Sequence, residues 1–197
     1  KPRYEFRIFH ADSLAFFEKM KPFGEAEKIR TMNSIYLLTR GNKKNNIKIR
    51  DGIMDIKKLE SKYQSLEQWN PFLVGAFPLE RDVIKTVVFP AMGIEAPVFE
   101  REKYSLYQFI QDVINPDPDL SVAHVQKKRS AFTVNGCIAE VAQCIVNGAA
   151  ISSLCVEDEN PENVLKALEM LDIDPEMENV SYPLALKRLM GLEVLPD

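Results

Sequence analysis

Four segments of the chain carry two charged side chains two residues apart in apolar surroundings: Glu5/Arg7, Lys48/Arg50, Arg101/Lys103 and Lys127/Arg129. In an extended strand, residues i and i+2 point to the same side of the sheet, so each pair marks a charged face with an apolar face behind it. The stretch NNIKIRDGIMDIKKLE shows this best, with Lys48, Arg50 and Lys57 set among Ile47, Ile49 and Ile56. Antiparallel sheets often wet one face, and a single such strand would need no other account. Four of them, mostly cationic and poor in Ser, Thr and Gln, fit better a sheet that closes on itself with helices on its apolar outside.

Cations crowded into such an interior repel one another in low dielectric, at a cost that a domain stability of ~5–15 kcal/mol cannot absorb without counter-charge. Glu5, Glu67, Glu140 and Glu157 supply part of it. A ligand carrying several phosphates would supply the rest, held by forked guanidinium and compact ammonium groups. The phosphate-binding candidates are Arg7, Lys48, Arg50, Lys57, Arg101, Lys103, Lys127 and Arg129. For Arg101 and Lys103, the alternating EREK run also fits an ordinary salt-bridged edge strand.

The rest of the chain reads as hairpins and helices. Residues 3–9, 34–39 and 47–52 read as strands, with a polar turn at 41–46, and a further strand-like element at about 62–69 contains Glu67 and Trp69. Asp12 or Ser13 can cap a short helix that buries Leu14, Phe16, Phe17 and Met20. Pro71 and Pro78 punctuate the chain before a helix from Leu79 to about Pro90 and Gly93, and 97–106 reads as extended. After the NPDPD loop, three strands are separated by Asn-Gly turns at 135–136 and 147–148. Asn160-Pro161 opens a helix burying Val164, Leu165, Leu168 and Leu171, and a last helix covers about 183–191. Strands, helix, strands, helices, with hairpins dominating, make an α+β antiparallel sheet with helices packed outside.

The net charge of -4 conceals an asymmetry, because residues 1–60 hold 14 Lys/Arg against 8 Asp/Glu, whereas 155–180 hold nine acidic residues and only Lys166. A generally basic, nucleic-acid-like surface is excluded, and any anion site must be local. No apolar run approaches the roughly 18 residues of a membrane span. KPRYEFRIF carries no signal-peptide pattern, and a first residue other than Met is what a piece of a longer chain would show. The three cysteines, Cys137, Cys144 and Cys155, lack metal-type spacing and read as buried reduced thiols, which places the protein in the cytoplasm. His10 and His124 are isolated, Trp69 reads as a packing residue, and neither a Walker-type nor a dinucleotide-type glycine loop is present.

The ordered series of these segments resembles the CYTH, or triphosphate-tunnel metalloenzyme, family of class IV adenylate cyclases, thiamine triphosphatases and inorganic triphosphatases. The matching residues run from Glu5-Phe6-Arg7 through Tyr36, Lys48-Ile49-Arg50, Asp55-Ile56-Lys57 and Glu67 to the helix ending at Gly93. They continue with Arg101-Glu102-Lys103, Lys127-Lys128-Arg129, Glu140, Cys155-Val156-Glu157 and Ser181-Tyr182. The resemblance implies a single domain over 1–197, an antiparallel barrel or tunnel of about eight strands, and Mg²⁺- or Mn²⁺-dependent hydrolysis of a triphosphate or polyphosphate. It assigns Glu5, Glu67, Glu140 and Glu157 to catalysis, with Glu5 and Glu157 as metal ligands. The partner implied is a triphosphate-containing small molecule or inorganic polyphosphate, without membrane or nucleic acid; the sequence is compatible with a homodimer.

Two departures bear on the chemistry. The family's opening E-x-E-x-K reads Glu5, Arg7, Phe9, and its late E-x-E reads Cys155, Glu157, so carboxylates that a hard cation needs are missing. Two alternatives therefore stand beside hydrolysis: a non-catalytic polyphosphate- or nucleotide-binding domain, and an RNA or protein interaction module with its charged sheet face open to solvent.

Overall fold

The computed structural model describes residues 1–194; the last three positions of the 1–197 domain read from the sequence lie outside the described residues. Eight strands form one closed antiparallel barrel: β1 (Arg3–His10), β2 (Lys28–Leu38), β3 (Asn45–Arg50), β4 (Ile53–Tyr63), β5 (Leu66–Ala76), β8 (Ser121–Val134), β9 (Cys137–Val146) and β10 (Ala149–Asp158). Around the barrel they run β1-β10-β9-β8-β2-β3-β4-β5. β6 (Leu79–Glu80) and β7 (Lys103–Tyr104) form a small separate ribbon. The helical segments are α1 (Leu14–Met20), α2 (Arg81–Val83), α3 (Phe89–Met92), α4 (Leu106–Gln108), α5 (Pro161–Met170) and α6 (Tyr182–Leu189), and π-wound turns extend α2 into α3 (Ile84–Val88) and prolong α4 (Phe109–Ile114).

The opening pattern of charge and apolarity resolves here into inside and outside. Phe6 and Ile8 of β1, Val141 of β9 and Leu154 of β10 face outward and pack beneath Phe16 and Met20 of α1 and Val164 and Leu168 of α5. On the other flank, Ile47 and Ile49 of β3 and Met54 and Ile56 of β4 lie beneath Ile84, Val88, Phe89 and Phe109. Burying these side chains contributes roughly 1.5–3 kcal/mol each. With the apolar faces committed outward, the alternate residues, including Arg7, Lys48 and Lys127, are turned into the barrel. The expected α+β barrel with helices outside is the architecture found.

Turn chemistry fixes the register of the last three strands. Asn135-Gly136 and Asn147-Gly148 all have positive φ (49°, 76°, 47° and 92°), the conformation that tight two-residue hairpins require and that Asn and Gly reach most cheaply. At α5, the side-chain oxygen of Asn160 accepts from the backbone N–H of Glu162, and Pro161 takes the first helical position.

Several elements differ from the sequence reading. β2 begins at Lys28, six residues earlier than read, because it pairs with β8 along its whole length. The strand read at 62–69 is the tip of a long β4–β5 hairpin that turns at Gln64 (φ 51°). Pro71 does not end β5: it sits where the β4–β5 register shifts, so its missing N–H costs little. The helix from 81 passes through Pro90 and stops at Gly93 in the left-handed conformation. Within 97–106 only Lys103–Tyr104 is a strand, and the helical stretch over 106–114 had no distinct signal.

The barrel is sealed asymmetrically. β1 and β5 pair only from Arg3↔Trp69 to Glu5↔Glu67. Beyond that, the Asn179 side chain bridges the seam, its Nδ2 donating to the carbonyls of Glu5 (2.7 Å) and Ser65 (2.9 Å) while its Oδ1 accepts from the Arg7 N–H (2.9 Å). One end is stoppered by α6, whose Tyr182 and Leu186 pack with Tyr36, Leu38, Val125, Cys144 and Val146 inside the barrel. Buried Lys187 fastens this stopper by donating to the carbonyls of Arg40 (2.9 Å) and Asn42 (3.1 Å). Replacing Phe6, fully buried beneath the outer helices, by Ala should cost about 3–5 kcal/mol in urea-induced unfolding; a loss under ~1 kcal/mol would show that the outer face does not hold the barrel.

Candidate functional site: a basic cavity inside the barrel

Inside the barrel lies a cavity of ≈ 320 Å³ lined by residues from all eight strands, with β9 contributing Glu140. β1 contributes Glu5 and Arg7, β3 Lys48 and Arg50, β4 Asp55 and Lys57, β8 Lys127 and Arg129. Arg30 of β2 and Glu157 of β10 complete the charged lining, so that seven cations face four carboxylates and leave three positive charges in surplus.

The deepest part is a network around Glu140. Its Oε1 accepts from Arg7 Nη1 (3.2 Å) and Lys127 Nζ (2.6 Å), and its Oε2 from Arg129 Nε. Arg7, itself buried, also donates through Nε to Glu5 Oε1 (3.2 Å) and through Nη1 to Ser153 Oγ (3.2 Å). Its guanidinium lies 4.5 Å from the centre of the Tyr182 ring, and Lys127 Nζ stands 4.8 Å from the same centre. Elsewhere Lys48 pairs with Asp55 (3.0 Å) and Glu157 with Arg3 (3.3 Å).

These contacts set the protonation states. Burial alone would raise the Glu140 carboxyl, but Arg7, Lys127 and Arg129 outweigh it and hold the group well below the usual carboxylate range. Glu5 is likewise lowered, burial being overcome by Arg7 and Lys57. For Lys48 burial wins over the Asp55 carboxylate, and its affinity for the proton falls. Burial pushes the Tyr182 phenol and the Cys144 and Cys155 thiols up, so these groups beside the cavity floor stay protonated and are not nucleophiles.

Three lining cations have no carboxylate partner among the described residues. Arg50 Nη1 meets only the Met32 sulfur (3.3 Å), Lys57 influences Glu5 without a direct contact, and Arg30 stands opposite Arg129 in the β2–β8 register.

Nine of the twelve site candidates read from the sequence come together here: Glu5, Arg7, Lys48, Arg50, Lys57, Lys127, Arg129, Glu140 and Glu157. Glu67 is turned aside, paired with Lys62 (3.0 Å) and facing a smaller pocket beside α6. Arg101 and Lys103 lie away from the barrel, exposed and paired with Asp112 and Glu80, because β7 joins β6 rather than the barrel sheet. Arg30 was missed as a lining cation because β2 was read as starting at 34; its i, i+2 relation to Met32 and Ser34 was the available signal. Asp55 and Tyr182 were legible only as motif matches.

Whether a divalent cation fits can be tested on the donors. By register Glu157, Glu5 and Glu67 lie side by side on β10, β1 and β5. Each carboxylate is nevertheless turned to a protein cation, namely Arg3, Arg7 and Lys62, and all the bonds to Glu140 come from Arg7, Lys127 and Arg129. Among the described residues no three acidic, His or Cys side chains are placed to hold an ion. The donor set does not fit the metal that the family resemblance implies.

A closed eight-stranded antiparallel barrel with a basic interior is a tunnel-type fold, the CYTH-like architecture expected from the ordered motifs. Solved structures bear this out at the level of fold. The chain is similar to a candidate adenylate cyclase from Bacillus halodurans, at 12% identity with a TM-score of 0.52 over 95% of this chain and 97% of that one. It is also similar to a candidate adenylyl cyclase from Hippeastrum described as having a dominant triphosphatase activity, at 12% identity and a TM-score of 0.51 over 99% of this chain and 97% of that one. No protein-family model matches the sequence, and no curated protein does. No helix among the described residues is long and apolar enough to cross a membrane.

The low Glu140 pKa has a definite sign in stability. A carboxyl whose folded value is depressed below its ordinary 4.5 contributes fully above that value and loses its contribution as pH falls toward the folded one. Glu140→Gln should therefore be destabilised by roughly 3–5 kcal/mol at pH 7, since it leaves three cations under-compensated. The difference in melting temperature from the wild type should shrink steadily below pH 4.5; a difference constant from pH 7 to pH 3 would show that the Glu140 charge is not what the cations require.

Proposed function

We propose that the barrel binds a linear triphosphate or polyphosphate group, free or as the tail of a small molecule. The observation that carries this reading is the surplus of three positive charges in one cavity inside the barrel, with Arg30, Arg50 and Lys57 lacking a carboxylate partner among the described residues. Enclosure lowers the dielectric, so each phosphate–guanidinium or phosphate–ammonium contact is stronger than on an open face. In this reading Arg30, Arg50 and Lys57 bind the anion first, Lys48, Lys127 and Arg129 share their protons between carboxylate and phosphate, and Arg7 with Tyr182 forms the floor. The open charged sheet needed for an RNA or protein interaction module is not what the barrel presents.

Mg²⁺- or Mn²⁺-dependent hydrolysis is a second reading. It is favoured by the row Glu157, Glu5 and Glu67 on adjacent strands and by the triphosphatase activity ascribed to the Hippeastrum neighbour. Against it stands the engagement of every one of these carboxylates by a cation.

Tripolyphosphate should raise the melting temperature and bind in titration calorimetry. Removing one charged hydrogen-bonding partner, ~1.5–3 kcal/mol, corresponds to about 10–100-fold in affinity, so Arg50→Ala should weaken binding by that factor. The ligand-free variant should melt no lower than the wild type, because an uncompensated charge has been removed from a like-charged cavity. Unaltered affinity in Arg50→Ala would sink the assignment. Release of phosphate from tripolyphosphate on addition of Mg²⁺ or Mn²⁺ would establish the second reading.

A further inference from the structure

We propose that the Arg7 guanidinium is a built-in substitute for a divalent cation, so that the cavity takes its polyphosphate group without metal. The inference rests on the binding reading above and states how that site achieves its charge.

Arg7 touches two carboxylates at once, Glu5 and Glu140, each at 3.2 Å, which is the bridging position a hard cation would otherwise hold between acidic side chains. It is fixed there from the remaining sides by Ser153 Oγ at 3.2 Å, by the Tyr182 ring 4.5 Å away, and by Asn179, which ties the Arg7 backbone N–H across the seam. A guanidinium has no accessible neutral form, so this charge is permanent across the working pH range. The side chain is only 7% exposed, and displacing it would strand a buried charge among Lys127, Arg129 and Lys57. A metal arriving from solvent would therefore add charge to a cavity already in cationic surplus, and would first have to break a multiply held guanidinium from its carboxylates. Divalent ions should act against binding, because they chelate the polyphosphate outside the protein.

The experiment titrates the intact protein with sodium tripolyphosphate by calorimetry, once in EDTA and once in excess MgCl₂, and follows Mn²⁺ by electron paramagnetic resonance in the absence of phosphate. The expected result is binding in EDTA, no gain or a loss in Mg²⁺, and a Mn²⁺ spectrum unchanged by the wild-type protein. Affinity at least about tenfold tighter in Mg²⁺ than in EDTA, a difference of ~1.4 kcal/mol, would overturn the substitution, as would immobilised Mn²⁺ on the ligand-free wild type. Absence of binding in both buffers would overturn the phosphate reading itself and the inference with it, which separates the two failures. Arg7→Glu, checked for folding by circular dichroism, should remove binding in EDTA and begin to immobilise Mn²⁺. A merely structural Arg7 would not give that gain. Should the variant not fold, the two wild-type measurements decide alone.

Discussion

The constraint on which the structure depends is that like charges cannot share a dry interior without something of opposite sign. Glu140 answers it for the floor of the cavity. One buried carboxylate engages Arg7, Lys127 and Arg129 together, and Asp55 does the same for Lys48 alone. At Arg30, Arg50 and Lys57 protein carboxylates run out; Arg30 is exposed and the other two are half-buried. Compensation around Glu140 and Asp55, and its absence at Arg30, Arg50 and Lys57, leave the cavity with its positive surplus.

The outer helices make this arrangement possible. A barrel of strands whose outer faces carry Phe6, Ile47, Ile49, Met54 and Ile56 cannot be turned inside out, because the two apolar clusters beneath α1, α5 and the 81–114 region would then lose their partners. The same two-residue period that sends isoleucine outward sends lysine and arginine inward. At the far end α6 replaces water with Tyr182 and Leu186, so that the interior divides into a polar half and an apolar stopper. Tyr182 belongs to both halves: Arg7 and Lys127 lie over its ring, which also stacks with Tyr36 and meets Phe9 edge-to-face.

How much of this was legible in the sequence follows from that period. Lys48/Arg50 and Lys127/Arg129 could be placed because their strands have chemically distinct faces on both sides of the alternation. Arg101/Lys103 have the same spacing but not the same fate, since spacing tells which residues share a face and not which sheet the strand joins; β7 has only Leu79–Glu80 to pair with. Arg30 was hidden because KIRTMN is exposed on both faces near the barrel mouth and offers no buried stripe to mark a strand. The last helix was legible at about 183–191, but not as a stopper: nothing in its Tyr, Leu and Ala residues says that its apolar face enters a barrel rather than lying on one.

At the position of Arg7 the family resemblance places a carboxylate. Exchanging a carboxylate for a guanidinium at one inward position changes the local charge by two units, enough to invert what the neighbouring Glu5 and Glu140 attract. In this chain those carboxylates no longer wait for a cation, since one is covalently attached two residues along the same strand. The exchange is tolerable only because Ser153, Tyr182 and Asn179 accept the new side chain and its backbone. The strand seam that Asn179 bridges and the stopper that carries Tyr182 thus hold Arg7 in place. Losing either would leave Arg7 charged, buried and loosely held.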